Sequence, residues 1–345
     1  MPRFLESVTF IWMKNNKRFA VLGGGSWATA IVKMLTENLD VVQWYMRNTE
    51  AIEHIRTQGH NPNYLSSVEF HVEQLLLTND INEAVTHADV LIFAIPSAFL
   101  DSELKPLKVS LKDKIVFSAI KGIVPESSLI VGEHFNIHYH VPFKNIGVIT
   151  GPCHAEEVAL ERLSYLTIAC MDAENAELVA DHLKSEYIKT KISDDIIGAE
   201  YAAMLKNVYA IAAGIAHGIG YGDNFQSVLM SNAIREMKRF IKRVHKIKRN
   251  INDSAYLGDL LVTGYSLFSR NRMFGNMIGK GYTVKSAMME MKMVAEGYYA
   301  TKSAYLIMSK HKKKSRTPIL NAVYEILYED KNPKTVFRKL SEKLD

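Results

Sequence analysis

The chain has 345 residues, 48% of them hydrophobic and 23% charged, with 42 Lys and Arg against 37 Asp and Glu for a net charge of +5. That length exceeds what one compact core usually organises, so two domains are expected, and no uninterrupted apolar stretch is long enough to span a bilayer. With only Cys153 and Cys170, there is neither a disulfide framework nor a zinc spacing, which points to the reducing cytoplasm and to a soluble protein without a metal.

Residues 1–17 lack a basic start, a long apolar centre and a small-residue cleavage site, and read as a short extension and not a signal peptide. From residue 18 the sequence RFAVLGGGSWATAI runs as an apolar strand into closely spaced glycines and then a helical pattern. Gly23, Gly25 and Ala28 fit G-x-G-x-x-G/A, the turn that lets a pyrophosphate approach the unpaired N–H groups of a helix N-terminus. Glycine-rich turns of this kind also occur as plain structure, so the context decides. Further strands are expected near 40–46, 89–95, 114–119 and 145–150, alternating with helices. VLIFAI and KIVFSAI are apolar on both alternating positions, as in central strands covered on both faces. A doubly wound parallel sheet follows, and runs near 164–170 and 187–192 could extend it. The expected first domain, a Rossmann-like dinucleotide-binding unit of the α/β class, covers 18–192.

From Ser193 the β-rich segments nearly vanish, so 193–345 is expected to be an all-α substrate and catalytic domain. A run from about 194 to 217 carries Ser193 and Asp194 as possible caps. Glycines at 218–222, 258, 264, 275–281 and 297 are expected to divide the helices, and Pro318 to start a late one. Basic segments at 238–249 and 310–316 could touch nucleic acid, but Phe240, Ile241, Val244 and Ile247 recur at helical spacing in the first. That describes an amphipathic helix with a solvated face, and no nucleic-acid partner is expected. Apolar faces here would suit a homodimer, though periodicity does not separate a subunit contact from an internal core.

The residues with chemistry lie where these elements meet. Arg47 ends the second strand, where NAD-preferring enzymes place an acid for the ribose hydroxyls; an arginine there suits the 2'-phosphate of NADP as well. Lys121, in SAIKG at the end of the fourth strand, points to the crevice at the sheet's carboxyl edge. The segment Gly151-Pro152-Cys153-His154-Ala155 offers a sharp turn and a helix start; its Cys–His pair has no third partner at a recognised spacing. Lys206 and Asn207 sit inside the long helix, with Ala202, Ala203, Ala210 and Ala213 one or two turns from the lysine. An ammonium on such a crowded face needs a polar partner unless it snorkels to water. Asp259 could orient it, while Thr263, Ser269, Arg270 and Asn271 supply donors suited to a phosphate.

Together GGGSWATA, YMRN, FAIPS, SAIKG, GPCHAEEVA, EYAAMLKNVYAIAAGIAHGIGYGDN, GDLLVTGYSLFSRNRMFG and VAEGYYATKS resemble, in order, the soluble bacterial-type NAD(P)-dependent glycerol-3-phosphate dehydrogenases. The resemblance implies reduction of dihydroxyacetone phosphate to sn-glycerol 3-phosphate with NADPH or NADH, for glycerophospholipid synthesis. It implies Lys206 as general acid/base, with Lys121 and Asp259 beside it, and positive charge from Lys121 and Arg270 lowering its pKa. Substrate would meet Lys121, Gly151, Cys153, Asn207, Asp259, Thr263, Ser269, Arg270 and Asn271. The dinucleotide would meet Gly23, Gly25, Ser26, Trp27, Arg47, Lys121, Ala155, Arg270, Val294 and Glu296. Cys153 stands where the family usually has a serine, exchanging a hydroxyl for a weak thiol donor. Ala28 replaces the usual third glycine and Gly264 a frequent cysteine. Competing readings are a related dehydrogenase for another hydroxy or sugar acid, and a silent NAD(P)-binding sensor.

Overall fold

A computed structural model describes residues 17–266, 268–291, 295–310 and 316–345. Most of the extension at 1–17, Val294 and most of the second basic segment lie outside the described residues.

The main sheet has eight strands in the order β10-β9-β8-β5-β4-β1-β2-β3. They are β1 (Phe19–Leu22), β2 (Val42–Tyr45), β3 (Leu75–Thr78), β4 (Val90–Phe93), β5 (Ile115–Ser118), β8 (Ile146–Thr150), β9 (Ser164–Cys170) and β10 (Ile188–Ser193). The six from β3 to β8 are parallel and follow the doubly wound dinucleotide-binding order. The extension through β9 reverses direction: β8 and β9 pair antiparallel, Ile149 opposite Ile168, and β10 then runs parallel to β9. β1 and β4, in the middle of the sheet, bury every residue, as their apolar runs predict, and β5 buries all but Ile115.

Two sheet features had no reading from the sequence. β3 is a short edge strand with Leu76 facing solvent, and a hairpin of two-residue strands, β6 (Ile123–Val124) and β7 (Leu129–Ile130), follows Lys121.

Beyond β10 the described residues are helical. Helix α1 (Ser26–Thr36) belongs to the phosphate turn; then come α2 (Ile196–Gly218), α3 (Asp223–Val244), α4 (Asp259–Tyr265), α5 (Arg270–Gly279), α6 (Glu296–Ser309) and α7 (Pro318–Tyr328). Helix α2 is buried on all sides from Gly198 to Ala216, so it is the axis of the helical region and not a surface helix. Its cap is Asp195, whose carboxylate accepts from Gly198 N at 3.0 Å; Ser193 instead accepts from Asp195 N and Asp194 caps nothing. Pro318 does open α7.

The glycines at 264, 275 and 297 do not divide helices but lie within them. Their reason is steric. A Cβ on Gly275 would sit 2.2 Å from Ile211 O, and one on Gly214 2.1 Å from Arg272 O; Gly218 and Gly279 face each other in the same way. These notches let the backbones of α2 and α5 touch, bringing the start of α5 to the middle of α2. In α3, Phe240 and Ile241 are buried and cations face water, but the helix stops at Val244 and Ile247 is exposed.

Candidate active site

The site opens where the carboxyl edge of the sheet meets α2, α4, α5 and α6. A cleft of about 410 Å³ is lined by Gly25, Ser26 and Trp27 on one side and Lys206, Asn207, Thr263 and the 268–271 segment on the other. Lys121, Cys153, His154, Ala155 and Glu296 complete its walls.

The phosphate turn is built tightly. Gly23 has φ +137°, and a Cβ there would fall 2.4 Å from Ala94 O. Trp44 Nε1 donates to Gly23 O at 2.7 Å and Asn61 Nδ2 to Gly24 O at 3.2 Å, fixing the loop from behind. Gly25 caps α1 with no side-chain bond, has open space where a Cβ would stand, and precedes a first turn free of acids. Such a helix start presents unpaired N–H groups and positive dipole to an anion, so the residues present fit the pyrophosphate of a dinucleotide. Ala28 is fully buried in the third position and the close helix–strand contact is kept.

Lys206 is 3% exposed, and its ammonium donates to Asp259 Oδ1. The snorkelling alternative is therefore excluded. Burial lowers the Lys206 pKa to about 7; the Lys121 charge adds to the lowering and Asp259 opposes it. The other Asp259 oxygen meets Thr150 Oγ1 at 3.4 Å, and Thr263 Oγ1 donates to Asp259 O at 2.6 Å. Asp259 sits behind Lys206 and is not part of the cleft wall.

Lys121 lies with its ammonium 5.1 Å from the Trp27 ring centroid, within cation–π range. Asn207 Nδ2 donates to Lys121 O at 2.7 Å, tying α2 to the loop after β5. Ser269 caps α5 by accepting from Arg272 N, and Asn271 Oδ1 accepts from Gly297 N at 2.9 Å, joining α5 to α6. Glu296 is partly buried and accepts from Ser97 N at 3.0 Å and Ser97 Oγ at 2.5 Å. Burial raises its carboxyl pKa, against the Ser97 bonds and the Arg270 charge.

Cys153 is buried, which pushes its thiol up to about 11 and leaves it protonated at neutral pH. Burial, then Lys121 and Lys206, depress His154 to about 4, so its imidazole is neutral. Among the described residues no group of three His, Cys, Asp or Glu is placed to hold a metal.

Besides Asp259, three more expected contacts among the described residues stand off the cleft wall. Gly151 has φ +116° and a Cβ there would lie 2.7 Å from Tyr165 O, so it shapes the turn that presents Cys153. Gly23 is buried at the base of the phosphate turn, against Ala94. Arg47, at the carboxyl end of β2, is largely exposed and its Nε pairs with the buried Glu103 at 2.8 Å. Ser97, Tyr64 and Phe99 were not foreseen: the last two line the cleft and Ser97 holds Glu296. Ser97 and Phe99 follow β4, and the carboxyl-edge rule that singled out Lys121 applies to them equally.

Comparison with known proteins matches residues 18–176 to the N-terminal and 195–338 to the C-terminal model of NAD-dependent glycerol-3-phosphate dehydrogenase. Among curated relatives, a glycerol-3-phosphate dehydrogenase (NAD(P)+) of Exiguobacterium is 34% identical over 93% of this chain and 94% of its own length. That of Bacillus subtilis is 34% identical, covering 94% of each. The crystal structure of glycerol-3-phosphate dehydrogenase from Coxiella burnetii superposes with a TM-score of 0.86 at 27% identity, covering 94% of this chain and 99% of that one.

Proposed function

The chain belongs to the NAD-dependent glycerol-3-phosphate dehydrogenase family, and on that premise we propose how its residues perform the family's reaction. The reaction is the reversible, NAD(P)H-dependent reduction of dihydroxyacetone phosphate to sn-glycerol 3-phosphate. Both family models match in chain order, which sets aside the related hydroxy-acid dehydrogenase and the silent sensor.

The observation that carries the mechanism is the buried Lys206, paired with Asp259 behind it, at the wall of a cleft whose other wall is the phosphate turn. Gly23, Gly25, Ser26 and Trp27 hold the dinucleotide, with Ala155, Arg270 and Glu296 completing its contacts and Val294 assigned to it by the resemblance. When bound, the nicotinamide supplies a hydride to the ketone carbon. Lys206 Nζ, as ammonium, gives its proton to the carbonyl oxygen; in the reverse direction the neutral amine takes the hydroxyl proton. A pKa near 7 suits both. Asp259 orients the amine, and Lys121 adds positive charge beside the developing alkoxide. Arg270, Asn271 and Ser269 receive the phosphate, where the planar guanidinium offers two parallel donors. Cys153, Gly151, Asn207 and Thr263 shape the remainder of the substrate site.

Arg47, held by Glu103, reads the ribose end and accepts the 2'-phosphate of NADP. The chain divides into a dinucleotide-binding domain at 18–192 and a helical domain at 193–345, and works as a cytoplasmic homodimer supplying glycerophospholipid headgroups. No helix among the described residues is long and apolar enough to cross a membrane.

The test is spectrophotometric. NADPH or NADH oxidation should depend on dihydroxyacetone phosphate and vanish in Lys206→Ala with cofactor binding retained. A near-normal rate in that variant would reject the mechanism.

A further inference from the structure

Arg249 ends the basic segment whose other cations face water, yet it turns inward. Its Nε lies 2.5 Å from Asp195 Oδ2 and its Nη2 3.0 Å from Asp195 Oδ1, a two-pronged pair with both side chains nearly buried. Tyr256 OH donates to the same Oδ2 at 2.5 Å, while Oδ1 also accepts from Gly198 N. Burial pushes the Asp195 carboxyl up, but the bonds from Arg249 and Tyr256 outweigh it and hold it below its ordinary range. One carboxylate thus joins the cap of α2, the strap after α3 and residue 256.

What residue 256 belongs to gives the cluster its meaning. Tyr256 sits in a π-helical turn, Ser254–Gly258, that runs directly into α4, whose first residue is Asp259. Such turns shift the angle at which the following residues point, and they concentrate at functional sites. The turn is held at its start by Lys191 of β10, whose Nζ meets Asp253 Oδ2 at 3.1 Å. Lys206 lies in the helix that Asp195 caps, and Asp259 follows the turn that Asp195 grips through Tyr256. The two ends of the catalytic pair are therefore referred to one buried group.

We infer that Asp195, with Arg249 and Tyr256, is a positioning cluster that sets the register of Asp259 against Lys206 and thereby the acidity of the proton donor. None of the three touches the cleft wall, so they act through Asp259. Among the described residues the charged groups around Lys206 include Asp259 from α4, which raises its pKa, and Lys121 after β5, which lowers it, with the neutral His154 after β8 and Arg270 of α5 in the same cleft. Loosening the cluster moves Asp259 away, leaves burial and Lys121 unopposed, and lowers the Lys206 pKa. Reduction needs the ammonium, so the alkaline limb of its pH profile moves to lower pH.

The inference rests on Lys206 as proton donor, and the experiment separates the two. The pH dependence of dihydroxyacetone phosphate reduction is measured for the full chain and for Tyr256→Phe, Asp195→Asn and Asp259→Asn. Asp195→Asn keeps an oxygen for Gly198 N, and Tyr256→Phe removes one hydroxyl, so both variants test the cluster with little change in bulk. The expected result is a downward shift of the alkaline limb by about half a unit or more in both cluster variants, in the direction set by Asp259→Asn. A loss of rate equal at every pH, with no shift in either, marks a merely structural role and overturns the inference. A limb that does not respond to Asp259→Asn overturns the assignment of Lys206 itself.

Discussion

Lys206 and Asp259, fifty-three residues apart, form a charge pair inside the protein, the lysine from the middle of a helix buried on every side and the aspartate from the first turn of another. Taking either ion out of water alone costs several kcal/mol, and removing one partner of such a pair typically costs about 3–5 kcal/mol. A stability optimum alone would favour two apolar residues here; the proposed mechanism gives the pair its reason, since in it one member changes protonation during turnover.

The sign of the pH dependence follows from that pair. In the proposed mechanism reduction uses Lys206 protonated, so its kcat/KM should be flat below and fall above about pH 7, while oxidation of sn-glycerol 3-phosphate should rise through the same region. Initial rates in both directions across pH 5 to about 10 check this; parallel profiles would contradict it.

Arg270 should govern substrate affinity. Arg270→Lys keeps the charge but loses the planar fork, and a charge-assisted bond of about 1.5–3 kcal/mol corresponds to a KM increase of roughly 10- to 100-fold for dihydroxyacetone phosphate. The measurement is KM against kcat for the variant; an unchanged KM would remove Arg270 from the phosphate site.

Arg47 should govern cofactor choice. With its guanidinium held by Glu103 at the end of β2, Arg47→Ala should weaken NADPH by about tenfold or more and leave NADH within a few-fold. Comparing KM for the two cofactors decides it, and an unchanged ratio would refute the assignment.

The contact between α2 and α5 should tolerate no side chain at its notch. A Cβ on Gly275 would meet backbone, Ile211 O at 2.2 Å, which has no rotamer to yield. Gly275→Ala should therefore destabilise by about 3 kcal/mol and displace Arg270 five residues earlier, raising KM as well. Thermal unfolding with and without substrate tests both effects.

Glu236 should show the difference between losing a charge and losing an acceptor. It is buried and takes Ile319 N and Leu320 N at 2.9 Å each, capping α7, whose own N-cap Thr317 makes no side-chain bond. Burial raises its pKa to about 7. A carboxyl pKa raised on folding gives stability that is full below the unfolded value and lost as pH rises toward 7. Glu236→Gln should flatten that dependence at a cost within about 1 kcal/mol, whereas Glu236→Leu orphans two N–H groups and should cost about 3 kcal/mol. Denaturant melts at one pH below the ordinary carboxyl range, about 4, and one above 7 separate the outcomes.

Features encoded in local pattern are legible along the chain. Gly23 is required by a positive φ against Ala94, β4 by an unbroken apolar run, α2 by its long helical period, and Lys121 by its place at a strand end. Even the identity of the family was legible, because its motifs occur in order. Tertiary structure alone decided the rest. Ser193, Asp194 and Asp195 are all good caps, and only the positions of Gly198, Arg249 and Tyr256 select Asp195. Gly264, Gly275 and Gly297 look like helix breaks until a neighbouring element shows that the missing Cβ is room for packing. β3 escaped because a four-residue edge strand has no period long enough to stand out. The acidity of Lys206 was likewise undecidable from spacing, since burial and the distances to Lys121 and Asp259 exist only once the chain has folded. Local conformation is a property of neighbouring residues, whereas desolvation and charge coupling belong to groups that the fold brings together.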